Sequence, residues 1–219
     1  MKILVISDLH FPLPYSGLYA KVIKKERPDV VVLLGDVVAP SSPSSAVAFY
    51  KRFVKGYKKV FDTSKTVFLL GDNEGRCVDY SINKEVSSFL DKLPKLNKDL
   101  LTYKYKNLFF FHGNIEHSFS QERSGYLIVK ILTRIHEALF PFVLSSVIRY
   151  RFGLSRNEIL FIGHIHYLGK VGKNIFCGTF NKEKKIYNEE KSLGYVTIVD
   201  RGGKEIKAGD VSLISLLPL

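Results

Sequence analysis

The sequence predicts an α/β fold, and three observations carry that prediction. Five short apolar, β-branched runs recur between residues 3 and 166, and each ends abruptly in Asp or His. Helix-compatible segments lie between the runs, and from Asn174 onward the pattern changes to short strands. The runs are continuous rather than alternating, which suggests strands covered on both faces.

Taken in order, Ile3 to Ile6 leads into Ser7-Asp8-Leu9-His10, and Val30 to Leu34 leads into Gly35-Asp36. Val67 to Leu70 leads into Gly71-Asp72-Asn73-Glu74, Leu108 to Phe111 into His112-Gly113, and Ile159 to Ile162 into Gly163-His164-Ile165-His166. The intervening helices are expected over Leu18 to Lys25, Ser44 to Tyr57 and Ile82 to Leu93. Leu127, Ile128, Ile131, Leu132, Ile135 and Leu139 follow helical spacing; Pro141 is expected to end or kink that helix, and Phe142 to Tyr150 forms another. Short strands are expected at Ile175 to Cys177, Tyr195 to Val199, Glu205 to Lys207 and Val211 to Leu217, with Arg201 to Lys204 as a hairpin turn. No repeat or linker divides the chain, so one domain over 1–219 is expected, with a helical insertion at about 121–156.

Composition narrows the partners. The 33 Lys and Arg outnumber the 21 Asp and Glu, a net charge of +12 that favours anionic partners: phosphate esters, nucleic acid or acidic lipid. Two cysteines are too few for a disulfide framework, and the start turns acidic at Asp8, too early for a secretory signal. The expected location is the cytoplasm.

In open α/β sheets, ligands gather beyond the carboxyl ends of strands. The five run ends supply Asp8, His10, Asp36, Asp72, His112, His164 and His166. Carboxylate and imidazole donors without thiolates suit manganese, iron, nickel or zinc and argue against a structural zinc finger. Seven donors, one Asp shared, suffice for two cations about 3.5–4 Å apart.

These five motifs, in this order, resemble those of the calcineurin-like metallophosphoesterases. That resemblance implies a four-layer αββα sandwich of two mixed β-sheets flanked by helices. It also implies that Asp8, His10 and His166 hold one cation, Asp36 bridges, and Asp72, His112 and His164 complete the second shell. Two divalent cations follow as cofactors, manganese first, with iron, nickel or zinc as alternatives. The implied reaction is hydrolysis of phosphodiester or phosphomonoester bonds by a metal-bridging hydroxide.

The third motif departs from the family. Where Gly-Asn-His is usual, this chain has Gly71-Asp72-Asn73. An ungapped reading puts Asp72 in the ligand slot and Asn73 where the family keeps its proton-donating His; a shifted reading, with Asn73 as ligand and Glu74 beyond it, requires an insertion. An amide cannot deliver a proton at neutral pH, and general acid catalysis contributes roughly 10²–10⁴-fold. Asn73 and His112 are the residues expected at the reacting centre, with Asn73 and His117 as candidate substrate contacts; the enzyme is expected to prefer activated or diester substrates, or to recruit another acid such as His117. The plainer reading of Asn73 and Glu74 is that both cap the following helix.

Two further readings stay open. A nuclease of the same superfamily would use the cations of Lys21, Lys24, Lys25 and Arg27 and of Lys51, Arg52, Lys55, Lys58 and Lys59, although no nucleic-acid signature accompanies them. A catalytically weak interaction scaffold is the other. The insertion at 121–156 combines apolar residues with arginines, and suits core-covering helices, peripheral membrane contact or a homo-oligomer.

Overall fold

The computed structural model describes residues 1–12, 17–39, 43–58, 65–77, 88, 92, 101–114, 129–181 and 187–217. Its first sheet contains β1 (Lys2–Ile6), β2 (Val30–Leu34) and β3 (Lys65–Leu69), which run parallel, together with β9 (Gly194–Val199) and β10 (Val211–Ser215). The strand order is β10-β9-β1-β2-β3, and β9 runs antiparallel to both β1 and β10. The second sheet contains β4 (Thr102–Tyr105), β5 (Leu108–Phe111), β6 (Ile159–Ile162), β7 (Leu168–Val171) and β8 (Asn174–Cys177), ordered β4-β5-β6-β8-β7. Strands β5, β6 and β8 are parallel, while β4 and β7 lie antiparallel at the edges.

Period-2 alternation sorts each strand between two cores. Ile3, Val5, Val32 and Val67 of the first sheet meet Leu108, Phe110, Ile159 and Phe161 of the second in a shared inter-sheet core. Phe110 stacks on Phe161 with ring centroids 4.7 Å apart. The alternate residues Leu4, Ile6, Val31, Leu33 and Phe68 face helices α1 (Leu18–Glu26) and α2 (Pro43–Gly56). On the far side, Phe109, Phe111, Leu160 and Ile162 pack under Leu144 and Ile148 of helix α4 (Leu139–Arg151). Helix, sheet, sheet, helix: the four layers are present, and every strand of the two parallel cores is covered twice.

Helix α1 buries Tyr19, Val22, Ile23 and Glu26, the spacing of one helical face. Arg27 ends it in a left-handed conformation (φ 47°), donating its N–H to Ile23 O, and Pro28 follows. Glu26 is buried there because Lys2 Nζ and Tyr195 Oη each lie 2.6 Å from its carboxylate.

Several elements differ from the sequence reading. Strand β3 starts earlier, at Lys65 and ends at Leu69, and the edge strands β4 and β7 carry no clear apolar run. Residues 205–207 form no strand; β9 pairs instead with β10, and the Ile206 backbone is held by the Asn107 side chain at 2.8 and 3.0 Å. Pro141 does not end a helix. The break falls at 136–138, between a helical stretch at 129–135 and α4, and Pro141 sits in the first turn of α4, where its missing N–H forfeits no hydrogen bond. The expected helix at Ile82 to Leu93 lies outside the described residues except for 88 and 92.

Candidate metal centre

The parallel register brings the carboxyl ends of β1, β2 and β3 to one edge, and those of β5 and β6 to the same end of the facing sheet. All seven residues named from the sequence follow these ends, and their side chains meet. The donor atoms of Asp8, His10 and His166 lie within 4.8 Å of one another, as do those of Asp72, His112 and His164. A third grouping of Asp8, Asp36 and His112 joins them.

In the first trio, His166 Nε2 lies 3.2 Å from Asp8 Oδ1 and 3.3 Å from His10 Nε2. In the second, Asp72 Oδ1 lies 3.0 Å from His164 Nδ1 and 3.3 Å from His112 Nε2. Donors at about 2.1 Å from one ion, in tetrahedral to octahedral geometry, stand about 3.0–3.4 Å apart. The Asp36 carboxylate lies between the trios: Oδ1 is 3.6 Å from His112 Nε2, and Oδ2 is 3.9 Å from His10 Nε2.

The backbone is strained to achieve this. Asp8, His10, Asp36, His164 and His166 all have left-handed φ, between 48° and 65°. Non-glycine residues adopt that region at a cost on the order of 1 kcal/mol each. The glycines beside them permit close approach. A Cβ on Gly71 would overlap the Asp36 carboxylate, and one on Gly163 would overlap the Ser7 hydroxyl.

Neighbouring groups aim the donors. Asp8 Oδ2 accepts from Ser7 Oγ (2.5 Å) and from the His164 N–H (2.9 Å), which leaves Oδ1 directed at His166. The Asp8 carbonyl is held from the end of β8 by Thr179 Oγ1 and the Phe180 N–H. His112 Nδ1 donates to Leu34 O at 2.7 Å, so Nε2 is the nitrogen presented to the pocket.

Glu74 is fully buried and accepts three backbone N–H groups: Gly71 (2.7 Å), Asp36 (2.8 Å) and Val38 (3.0 Å). The expectation that it caps a helix is half of the story. It does reach back to the residue before helix α3 (Asp72–Cys77), in capping-box fashion, but its other two bonds clip the β2 loop to the β3 loop. Neither this clip nor the support from Ser7 and Thr179 has a signature in sequence, because each depends on which loops the two sheets bring together.

Asn73 faces inward. Its backbone N–H donates to Asp36 Oδ1 (3.0 Å) and its side-chain Nδ2 to Asp36 Oδ2 (2.8 Å), and His10 Nδ1 is 3.4 Å from the same amide. The amide therefore fixes the shared carboxylate. The Asp72 carboxylate meets His112 and His164, while the Asn73 amide meets Asp36 and His10. His117 lies outside the described residues.

Burial and charge set the protonation of the pocket. Burial raises the Asp8 carboxyl, but the facing imidazoles of His166 and His112 outweigh it and hold the group well below the usual carboxylate range. Burial takes His10 down to about 4. Burial also raises Asp36 well above its ordinary value, reinforced by the repulsion of Asp72, Glu74 and Asp8. His112 is opposed by burial, yet Asp36 and Asp8, followed by Asp72, raise it well above the ordinary imidazole value.

Divalent cations fit this donor set. Asp8 Oδ1 is buried without a hydrogen-bond partner, and the donors around it are all oxygen and nitrogen at ligand-shell separations.

The family model described as calcineurin-like phosphoesterase matches residues 1–168. The chain belongs to the calcineurin-like phosphoesterase family. It is thereby a member of a family of metal-dependent phosphoester hydrolases. No curated protein matches the chain closely enough to count as a relative. Among solved structures, an archaeal phosphodiesterase is 15% identical, with 98% of this chain and 100% of that chain covered and a TM-score of 0.46. The Escherichia coli phosphoesterase Yfce is 16% identical over 98% of this chain and 97% of that one, with a TM-score of 0.45. A metallophosphoesterase from Sphaerobacter thermophilus is 16% identical over 90% and 83%, with a TM-score of 0.46.

Proposed function

We propose that this phosphoesterase works with two divalent cations, one held by Asp8, His10 and His166 and the other by Asp72, His112 and His164, with Asp36 between them. The observation that carries the reading is the pair of trios sharing one carboxylate. Bound there, the cations supply charge to hold phosphoryl oxygens and to acidify a water for in-line attack. Manganese is the first expectation, with iron, nickel or zinc as alternatives, since the donors are carboxylate oxygen and imidazole nitrogen without thiolate.

The chain's own residues prepare the pocket for that role. Ser7 and the His164 N–H turn one oxygen of Asp8 away, so that the other is offered free. The Leu34 carbonyl sets the ring of His112, and Glu74 locks the loop that carries Asp36. Asn73 steadies Asp36 but has no proton to give a leaving group. Among the described residues no histidine outside the two trios touches the centre, so in this reading the leaving group takes its proton from solvent or from another acid such as His117. Substrates with acidic leaving groups, aryl phosphodiesters first, are favoured over alkyl monoesters. The whole chain, 1–219, acts as one catalytic unit in this reading.

The test is a panel of bis-aryl phosphodiester, aryl monophosphate, alkyl monophosphate and labelled oligonucleotide, assayed with manganese for the parent protein and Asn73→His. Aryl diesters should turn over at least about 10²-fold faster than alkyl monoesters, and Asn73→His should narrow that gap. Equal rates on aryl and alkyl esters would overturn the preference. Failure on every substrate with two cations bound would favour the scaffold reading.

A further inference from the structure

Helix α4 is apolar on both faces. Pro141, Leu144 and Ile148 point inward against the second sheet. Phe142, Val143, Val147 and Tyr150, at successive turns, point outward with only Ser146 among them, and Phe142 and Tyr150 are 56% and 92% exposed. A helix that is hydrophobic all round is normally a covered one. Ile131 and Ile135, a turn apart in the preceding helical stretch, are exposed as well. Among the described residues, 131–150 therefore contributes six of the eleven exposed large hydrophobic side chains. Apolar surface collected in this way marks an interaction face.

Charge indicates what covers it. Between residues 129 and 157 there are five basic residues, Lys130, Arg134, Arg149, Arg151 and Arg156, against one acid, Glu137. Glu137 is already engaged by Lys191. Lys130, Arg134, Arg151 and Arg156 are exposed. A second copy placed on this face would bring two such clusters, and two chains of net charge +12, against each other. An anionic bilayer meets both requirements, taking apolar side chains into its headgroup region and cations at its surface. Spanning is excluded for α4: its 13 residues make about 20 Å, short of a hydrocarbon core of about 30 Å. Among the described residues no helix is long and apolar enough to cross a membrane.

We propose that the outward face of α4, with the cations flanking it, docks the protein on the surface of anionic membranes. The start of α4 is at the pocket end of the second sheet. Tyr187 Oη donates to Glu137 O at 3.4 Å, and its ring lies 4.7 Å from that of Tyr167, the residue after His166. Docking through α4 thus holds the phosphoesterase pocket beside the lipid headgroups, independently of which phosphoester it cleaves.

The test is co-sedimentation of the full chain with vesicles of phosphatidylcholine alone, or with about one third phosphatidylserine. Binding should be confined to the anionic vesicles. Val143→Ser combined with Tyr150→Ser should weaken it about tenfold, with an unchanged melting temperature because both side chains are exposed. Arg134→Glu with Arg151→Glu should weaken it more, by at least about fivefold per cation. Absence of binding to either vesicle would overturn the proposal. So would unaltered binding by the serine variant, which would reduce the effect to bulk charge. A parent protein that sediments as a dimer, and becomes monomeric on the serine substitutions, would assign the face to a second copy instead.

Discussion

The two trios use the same residue types but differ in readiness. In the first, Asp8 is fully buried and held ionised by its imidazole neighbours, and His10 is driven to about 4, so it is neutral at neutral pH. In the second, His164 is partly open to solvent and His112 is held protonated by the surrounding carboxylates, Asp36 and Asp8 first. Metal ligands must be deprotonated, so in the two-cation reading proposed above each ion would compete with whatever protons the free site holds. The first trio has its carboxylate and His10 already free of protons, whereas the second must release one from His112. Asp36, between the trios, is raised by burial and by neighbouring carboxylates and lowered by His112, so its titration is tied to that of His112. One centre thus combines a ready half with a half gated by pH.

The largest effect should come from removing what the halves share. Asp36→Ala is expected to lower phosphoesterase turnover by about 10³-fold, because several kcal/mol of transition-state stabilisation depend on both cations being placed. Turnover within tenfold of the parent would show that the halves act separately. Glu74→Gln comes next, at about 10–100-fold in metal affinity. The amide would set an N–H₂ group against backbone N–H groups that now meet a carboxylate, loosening the loops of both Asp36 and Asp72. Circular dichroism of the metal-free variant should be unchanged; a collapse there would make Glu74 a folding residue rather than a positioning one.

Proton release sharpens the comparison further. An imidazole raised well above its ordinary value, as His112 is, holds its proton at neutral pH, and cation affinity there rises with pH until that proton is lost. Calorimetric titration with manganese in two buffers of different ionisation enthalpy should show the weaker event releasing about one proton more than the tighter one. The weaker affinity should fall about tenfold per pH unit of acidification below neutrality. Equal release in both events would erase the distinction drawn between the trios.

The smallest effects are on the scaffold. Ile148→Ala removes a fully buried side chain from beneath α4 and should cost about 2–5 kcal/mol of stability, read by denaturant unfolding, with metal affinity retained. Tyr150→Ser, on the opposite face of the same helix, should change stability by less than about 0.5 kcal/mol.

The seven donors were legible in the sequence because each follows an unbroken apolar run, and parallel pairing carries all such ends to one edge. Ile3 to Ile6 and Val30 to Leu34 show why: buried on both faces, they read as continuous hydrophobic stretches. Edge strands β4 and β7 have no such run in the sequence, because they are covered less and carry polar residues, Thr102 and Lys104 in one and Lys170 in the other. Pro141 is ambiguous in the sequence because proline is permissive in the first turn of a helix and disruptive within one, and only the break at 136–138 distinguishes the two. The clip formed by Glu74 depends on three backbone groups from two loops, information that exists only after folding.

Anomalous diffraction from crystals soaked in manganese tests the central claim most directly. Two peaks about 3.5–4 Å apart should appear, one against Asp8, His10 and His166, the other against Asp72, His112 and His164, with Asp36 touching both. A single peak, or two peaks that leave either trio empty, would contradict it.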